Sequence, residues 1–131
     1  KKRIAFVLVG ILVCVGAAVW LVPYTPMPDM DGFWNVPIWR VNGADMTELT
    51  EQVNQTALRE ALTQVQAKRM PRSQSSFSMD KVSYEIIAVY NDTPTFLNIV
   101  ELNFVYNGDG WVHDLKNGSE ILEKLDAICN Y

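Results

Sequence analysis

At 131 residues the chain has room for one domain, and its two cysteines do not staple it: Cys14 lies inside an apolar run and Cys129 near the carboxyl end. Eleven Lys and Arg against 15 Asp and Glu leave a net charge of −4. Apart from Lys1-Lys2-Arg3, the basic residues gather only at Lys68, Arg69 and Arg72, too sparse a set to hold a phosphate backbone, so nucleic acid is excluded as a partner. CxxC and zinc spacings are absent, and the sequence implies neither a metal nor another cofactor.

Lys1-Lys2-Arg3 precedes an uncharged run from Ile4 to Val22. At about 1.5 Å per residue it makes roughly 28 Å of helix, enough to cross a hydrocarbon core of about 30 Å. Trp20 and Tyr24 stand where interfacial aromatics belong, and Pro23 ends the helix. The bases before the run and Asp29 and Asp31 after it place the amino end in the cytoplasm and the rest outside the cell membrane. A cleaved signal peptide is the rival reading, because Gly16-Ala17-Ala18 offers the small residues that signal peptidase reads. Val19 to Val22 prolongs the apolar run beyond that point and favours a retained anchor over residues 1–22.

Residues 23–32, with Pro23, Pro26 and Pro28, read as a stiff tether, and residues 33–131 as the domain. Ile38 to Val41 is followed by Asn42-Gly43, a strong hairpin signal. With that pair as the turn, Arg40 faces Asp45, Trp39 faces Met46, and the return strand runs from Asp45 to about Gln52. Asn54 then caps an amphipathic helix of about four turns, with Leu58, Ala61, Leu62 and Val65 on one face and Pro71 as its stop.

The stretch from Lys81 to Leu115 alternates with the period of half-buried strands. Val82, Tyr84, Ile86, Ala88 and Tyr90 form one apolar set, and a second strand from Phe96 to Tyr106 carries Val100, Leu102, Phe104 and Tyr106. Taking Asn91 to Thr95 as the loop sets Val82, Tyr84, Ile86 and Tyr90 opposite Phe104, Leu102, Val100 and Phe96. Asn107-Gly108-Asp109-Gly110 turns the chain into a third strand, Trp111 to Leu115. Ser119 caps a last helix striped by Ile121, Leu122, Leu125 and Ile128. The expected fold is therefore α+β, in the order β-β-α-β-β-β-α: a mainly antiparallel five-stranded sheet with two helices on one face, behind an amino-terminal transmembrane helix.

That register places Ile87 opposite Ile99 and Val89 opposite Leu97 on the reverse face, an apolar patch that the first hairpin covers or a partner uses. It also brings Glu85 face to face with Glu101, a carboxylate pair of the kind that holds a cation or does acid work. The plainer reading is two solvated side chains. Trp34 and Trp39, with Phe33, form a platform for a carbohydrate or a partner, rest on the lipid headgroups, or, the better reading, pack in the core. His113 could only serve as a base; between Trp111 and Leu115 it reads better as a hydrogen-bonded core histidine, and no serine sits in a nucleophile elbow. Asp29-Met30-Asp31-Gly32 and Asn107 to Gly110 lack the ligand spacing of calcium loops. Asn54, Asn91 and Asn117 begin glycosylation acceptor patterns.

The run from Lys1 to Val22 and the order of elements from Trp39 to Ile128 resemble the small single-pass extracytoplasmic proteins of Gram-positive bacteria, whose functions are largely uncharacterised. The resemblance carries over no functional residue. From the anchor and the apolar reverse face, the expected function is a membrane-anchored, non-catalytic binding or interaction module that presents its sheet to an envelope protein or ligand. The alternatives are a small envelope hydrolase using Glu85 and Glu101, and a structural accessory subunit held through its transmembrane helix, where Gly10 and Gly16-Ala17-Ala18 permit close helix contacts.

Overall fold

Alternating apolar residues build the antiparallel strands of this molecule's sheet. A computed structural model describes residues 1–72, 81–100, 104–107 and 111–131. In chain order these hold helix α1 (Lys2–Leu21), a single 3-10 turn at Met30–Gly32, strands β1 (Ile38–Asn42) and β2 (Asp45–Glu48), and helix α2 (Gln55–Thr63). Strands β3 (Ala67–Arg72), β4 (Ser83–Tyr90), β5 (Thr93–Val100), β6 (Phe104–Asn107) and β7 (Val112–Leu115) follow, then helix α3 (Gly118–Cys129). The described strands form a 7-stranded sheet in the order β2-β1-β4-β5-β6-β7-β3, every neighbouring pair antiparallel. The α+β class and the antiparallel sheet match the expectation from sequence, whereas the five-stranded count does not.

Two strands account for the difference. The second apolar run is not one strand from Phe96 to Tyr106: β5 ends at Val100, and β6 returns beside it with Ile99 opposite Phe104. Period-two alternation continues unbroken through such a reversal, so it gave no warning. The other addition is β3. The helix expected to reach Pro71 stops at Thr63, and Ala67–Arg72 instead pairs with β7 at the sheet's edge. Pro71 is tolerated there because the ladder shifts register between Ala67 and Pro71 and an edge strand can lack a donor. Asn117 closes the helix end: its side chain accepts from the backbone N–H of Gln66 at 2.9 Å and donates to the carbonyl of Gln64 at 2.8 Å.

Both hairpin registers also differ from those expected. The first turn falls on Gly43-Ala44, with Gly43 at φ +62°, so Asn42 faces Asp45, Val41 faces Met46, Arg40 faces Thr47 and Trp39 faces Glu48. In the second, Asn91 and Asp92 take positive φ of 46° and 62° and form a two-residue turn, with Tyr90 opposite Thr93. Asn and Asp accept that conformation more readily than most side chains. The resulting shift of β5 is odd, which exchanges its faces relative to β4. Leu97 and Ile99 therefore face inward beside Ile86 and Tyr84.

Helices α2 and α3 cover that inward face. Leu58 and Leu62 from α2, and Ile121 and Leu125 from α3, close on Ile38, Tyr84, Ile86, Leu97 and Ile99, none more than 2% exposed. Asn54 caps α2 as its position predicts, accepting from the N–H groups of Thr56 and Ala57 at 3.0 and 3.1 Å. Gln55 ties the helix start to the approach to β1: it accepts from Val36 N–H at 2.9 Å and donates to the Val36 carbonyl at 3.0 Å.

The proline-rich segment is not a free tether. Met27 is 1% exposed within the core, Tyr24 pairs with Ala67 through two backbone hydrogen bonds of 3.0 and 2.8 Å, and Phe33 bridges to Tyr90 with ring centroids 5.0 Å apart. Residues 24–33 form an integral margin of the sheet. By contrast, α1 has no buried residue along its length.

Candidate functional site

Because α2 and α3 pack on one side of the sheet and β1–β2 extends it sideways instead of folding over it, among the described residues neither of these helices nor the first hairpin lies on the reverse face. Residues alternating with the core positions project there. Trp39 and Val41 from β1 lie beside Glu85 and Ser83 of β4, with Met46 and Glu48 of β2 on their other flank. Ile87 and Val89 follow along β4, facing Phe96 and Pro94 of β5. Trp39, Val41, Ile87 and Val89 are half-buried by their neighbours, while Met46 and Phe96 are 56% and 53% exposed. Trp34 joins the margin: its backbone N–H donates to the Val89 carbonyl at 3.1 Å, and its side chain is exposed. The surface is an apolar strip bordered by Glu48, Glu85 and Asn98.

Of the residues expected to form one patch, Ile87 and Val89 lie on this face with Trp39, and Trp34 is at its margin. Leu97 and Ile99 do not join them, being 2% and 0% exposed in the core. Phe96, Val41 and Met46 take their place. The signal for Phe96 was present, because Asn91-Asp92 also fits a two-residue turn, which would have set it opposite Ile87. The register expected for the carboxylate pair differs for the same reason. Glu85 faces Asn98, and Glu101 lies outside the described residues.

A second cluster, unforeseen from sequence, sits under the carboxyl-terminal end of α3. The hydroxyl of fully buried Tyr84 donates to Asp126 Oδ1 at 2.7 Å. Asn130 adopts the left-handed conformation, with φ 60° and ψ 44°, and turns the chain so that the Tyr131 ring lies 3.9 Å from the Arg40 guanidinium carbon. Burial is the main cause that pushes the Tyr84 hydroxyl above its ordinary value of 10.0; the hydrogen bond to Asp126 and the repulsion of that carboxylate add to it. Burial, followed by Asp126, likewise pushes the Cys129 thiol above its ordinary 9.0. Both groups are thus held in their protonated forms. A thiol so held is a poor nucleophile, and the cluster joins the last helix to the sheet.

His113 is 5% exposed, donates through Nδ1 to the Lys68 carbonyl at 2.9 Å and meets the Tyr24 ring edge-on at 6.0 Å. Its role here is to join β7 to β3. Among the described residues, no three His, Cys, Asp or Glu side chains gather to hold a metal ion. Asn54 and Asn117 commit their side chains to helix ends, and exposed Asn91 occupies a turn. No protein-family model, curated protein or solved structure matches the chain.

Proposed function

We propose that the protein is a membrane-anchored, non-catalytic interaction module that holds a protein partner against the reverse face of its sheet, on the outer side of the cell membrane. The observation that carries this reading is the apolar strip of Trp39, Val41, Met46, Ile87, Val89 and Phe96, which both helices leave uncovered. Aromatic and thioether side chains inside a polar border have the composition of a protein-binding surface. The anchor is α1, 20 residues with mean hydropathy 2.8 and no buried side chain. A helix this apolar requires either lipid around it or removal as a signal sequence. Lys1, Lys2 and Arg3 at its start favour the orientation with the amino end inside.

The test is a photoreactive residue placed at position 87 of the full chain in its native membranes, with the same label at Glu60 on α2 as control. A discrete protein adduct from position 87 only, lost on Val89→Glu, is expected. Identical adducts from both positions, or none from position 87, would overturn the reading.

A further inference from the structure

Four large exposed side chains share one end of the sheet, and it is the end from which α1 leaves. The direction follows from the pairing of the chain after α1. Tyr24 is hydrogen-bonded to Ala67, and two residues earlier the Val22 carbonyl accepts from Arg69 Nε at 2.9 Å. Moving back towards α1 is therefore moving along β3 towards Met70, Pro71 and Arg72.

The antiparallel ladder carries that end across the sheet. Arg72 is opposite Val112, so Trp111 stands just beyond it. Asn107 is opposite Phe96, and Pro94 is opposite Val89, beside which Trp34 is bonded. Met70, Phe96, Trp34 and Trp111 thus lie along one margin, at 62%, 53%, 63% and 62% exposure. Among the described residues, the other exposed large apolar side chains of the domain, Met46 and Tyr131, lie away from it, near the Gly43-Ala44 turn and over Arg40.

We infer that this margin rests on the bilayer, with Trp34, Met70, Phe96 and Trp111 in the headgroup layer around the exit of α1. The inference rests on the membrane-anchored reading above and adds the domain's orientation to it. Tryptophan suits that layer because its apolar body and polar N–H match the two sides of the interface. Arg69 and Arg72 lie at the same end, outnumbered by Asp29, Asp31 and Asp92, so the contact does not select anionic lipid; a neutral phosphatidylcholine surface suffices. Trp34 and Phe96 then form the membrane-side rim of the apolar strip, and Trp39, Val41 and Met46 stand farther from the lipid.

The test uses the full chain in phosphatidylcholine vesicles with brominated acyl chains, in four variants that each keep one of Trp20, Trp34, Trp39 and Trp111 and carry Phe at the others. Loss of emission from Trp20, Trp34 and Trp111, with Trp39 unchanged, is expected. Quenching of Trp20 without Trp34 and Trp111 overturns the orientation and leaves the anchor standing. An unquenched Trp20 overturns the anchor and the orientation together. Should removal of half-buried Trp39 impair folding, the quenching lost between the parent and Trp111→Phe or Trp34→Phe, with Trp39 kept, reads the same outcome.

Discussion

Tyr84 shows how much a single side chain contributes to the position of α3. Its hydroxyl reaches Asp126 from the centre of the sheet, and Tyr84→Phe leaves that hydrogen bond unmade at a cost of about 1–2 kcal/mol, read as a lower midpoint in urea. Since folding raises the pKa of this hydroxyl above 10.0, the folded and unfolded chains hold the same proton below pH 10. Above that pH the folded chain binds more protons, so stability falls with rising pH by about 1.4 kcal/mol per unit for this group. Cys129 adds a loss of the same sign beginning above 9.0. Unfolding measured from pH 7 to 11 should therefore show a flat region and then a decline, shallower in Tyr84→Phe.

Gly32 is constrained by a neighbour that no local pattern reveals. A methyl group there would press on the Tyr90 ring, with Cδ2 2.7 Å away, and Gly32→Ala should cost about 1–3 kcal/mol in the same assay. Nothing in the run from Asp29 to Gly32 announces this contact, because it joins residues far apart in the chain.

The elements themselves were largely legible, but their registers were not. Asn54 with the spacing of Leu58, Ala61 and Leu62 identifies α2, and Asn54→Ala should cost about 1 kcal/mol as a lost cap. Ile121 and Leu125 identify α3 equally well. The limits of α2 and the pairing of β5 escaped because they depend on distant partners: Asn117 closes α2, and β7 draws Ala67–Arg72 into the sheet. Asn91-Asp92 permits a short turn or a longer loop, and the candidate surface changes membership with that choice. Only the odd shift buries Leu97 and Ile99 while releasing Phe96. Ile99→Glu should consequently abolish cooperative unfolding, whereas Ile87→Glu should change stability by less than about 1 kcal/mol.

For the whole molecule, the contrast between its two parts governs behaviour. The domain buries its apolar residues between a sheet and two helices, and α1 buries none. In the anchored reading, the full chain remains in the membrane pellet after alkaline carbonate washing. Leu12→Arg, at the middle of the run, releases a share of it, since a central arginine costs about 2.5–3.5 kcal/mol on insertion. A product that reaches the medium shortened at its amino end would contradict retention. The apolar helix was the plainest feature of the sequence, and the packing of Met27 and Phe33 into the domain was hidden by the prolines around them.

Accessibility of the sheet's reverse face tests the account most directly. In the full chain with Ser at positions 14 and 129, a cysteine is introduced by Ile87→Cys or by Ile99→Cys, and its reaction with a polar maleimide is followed in purified, lipid-reconstituted protein and in native membranes. The account predicts rapid labelling at position 87 in the purified protein, protection at 87 in native membranes where a partner occupies the face, and protection at 99 in both. Protection at 87 in the purified protein, or equal labelling at 87 in both settings, would contradict it.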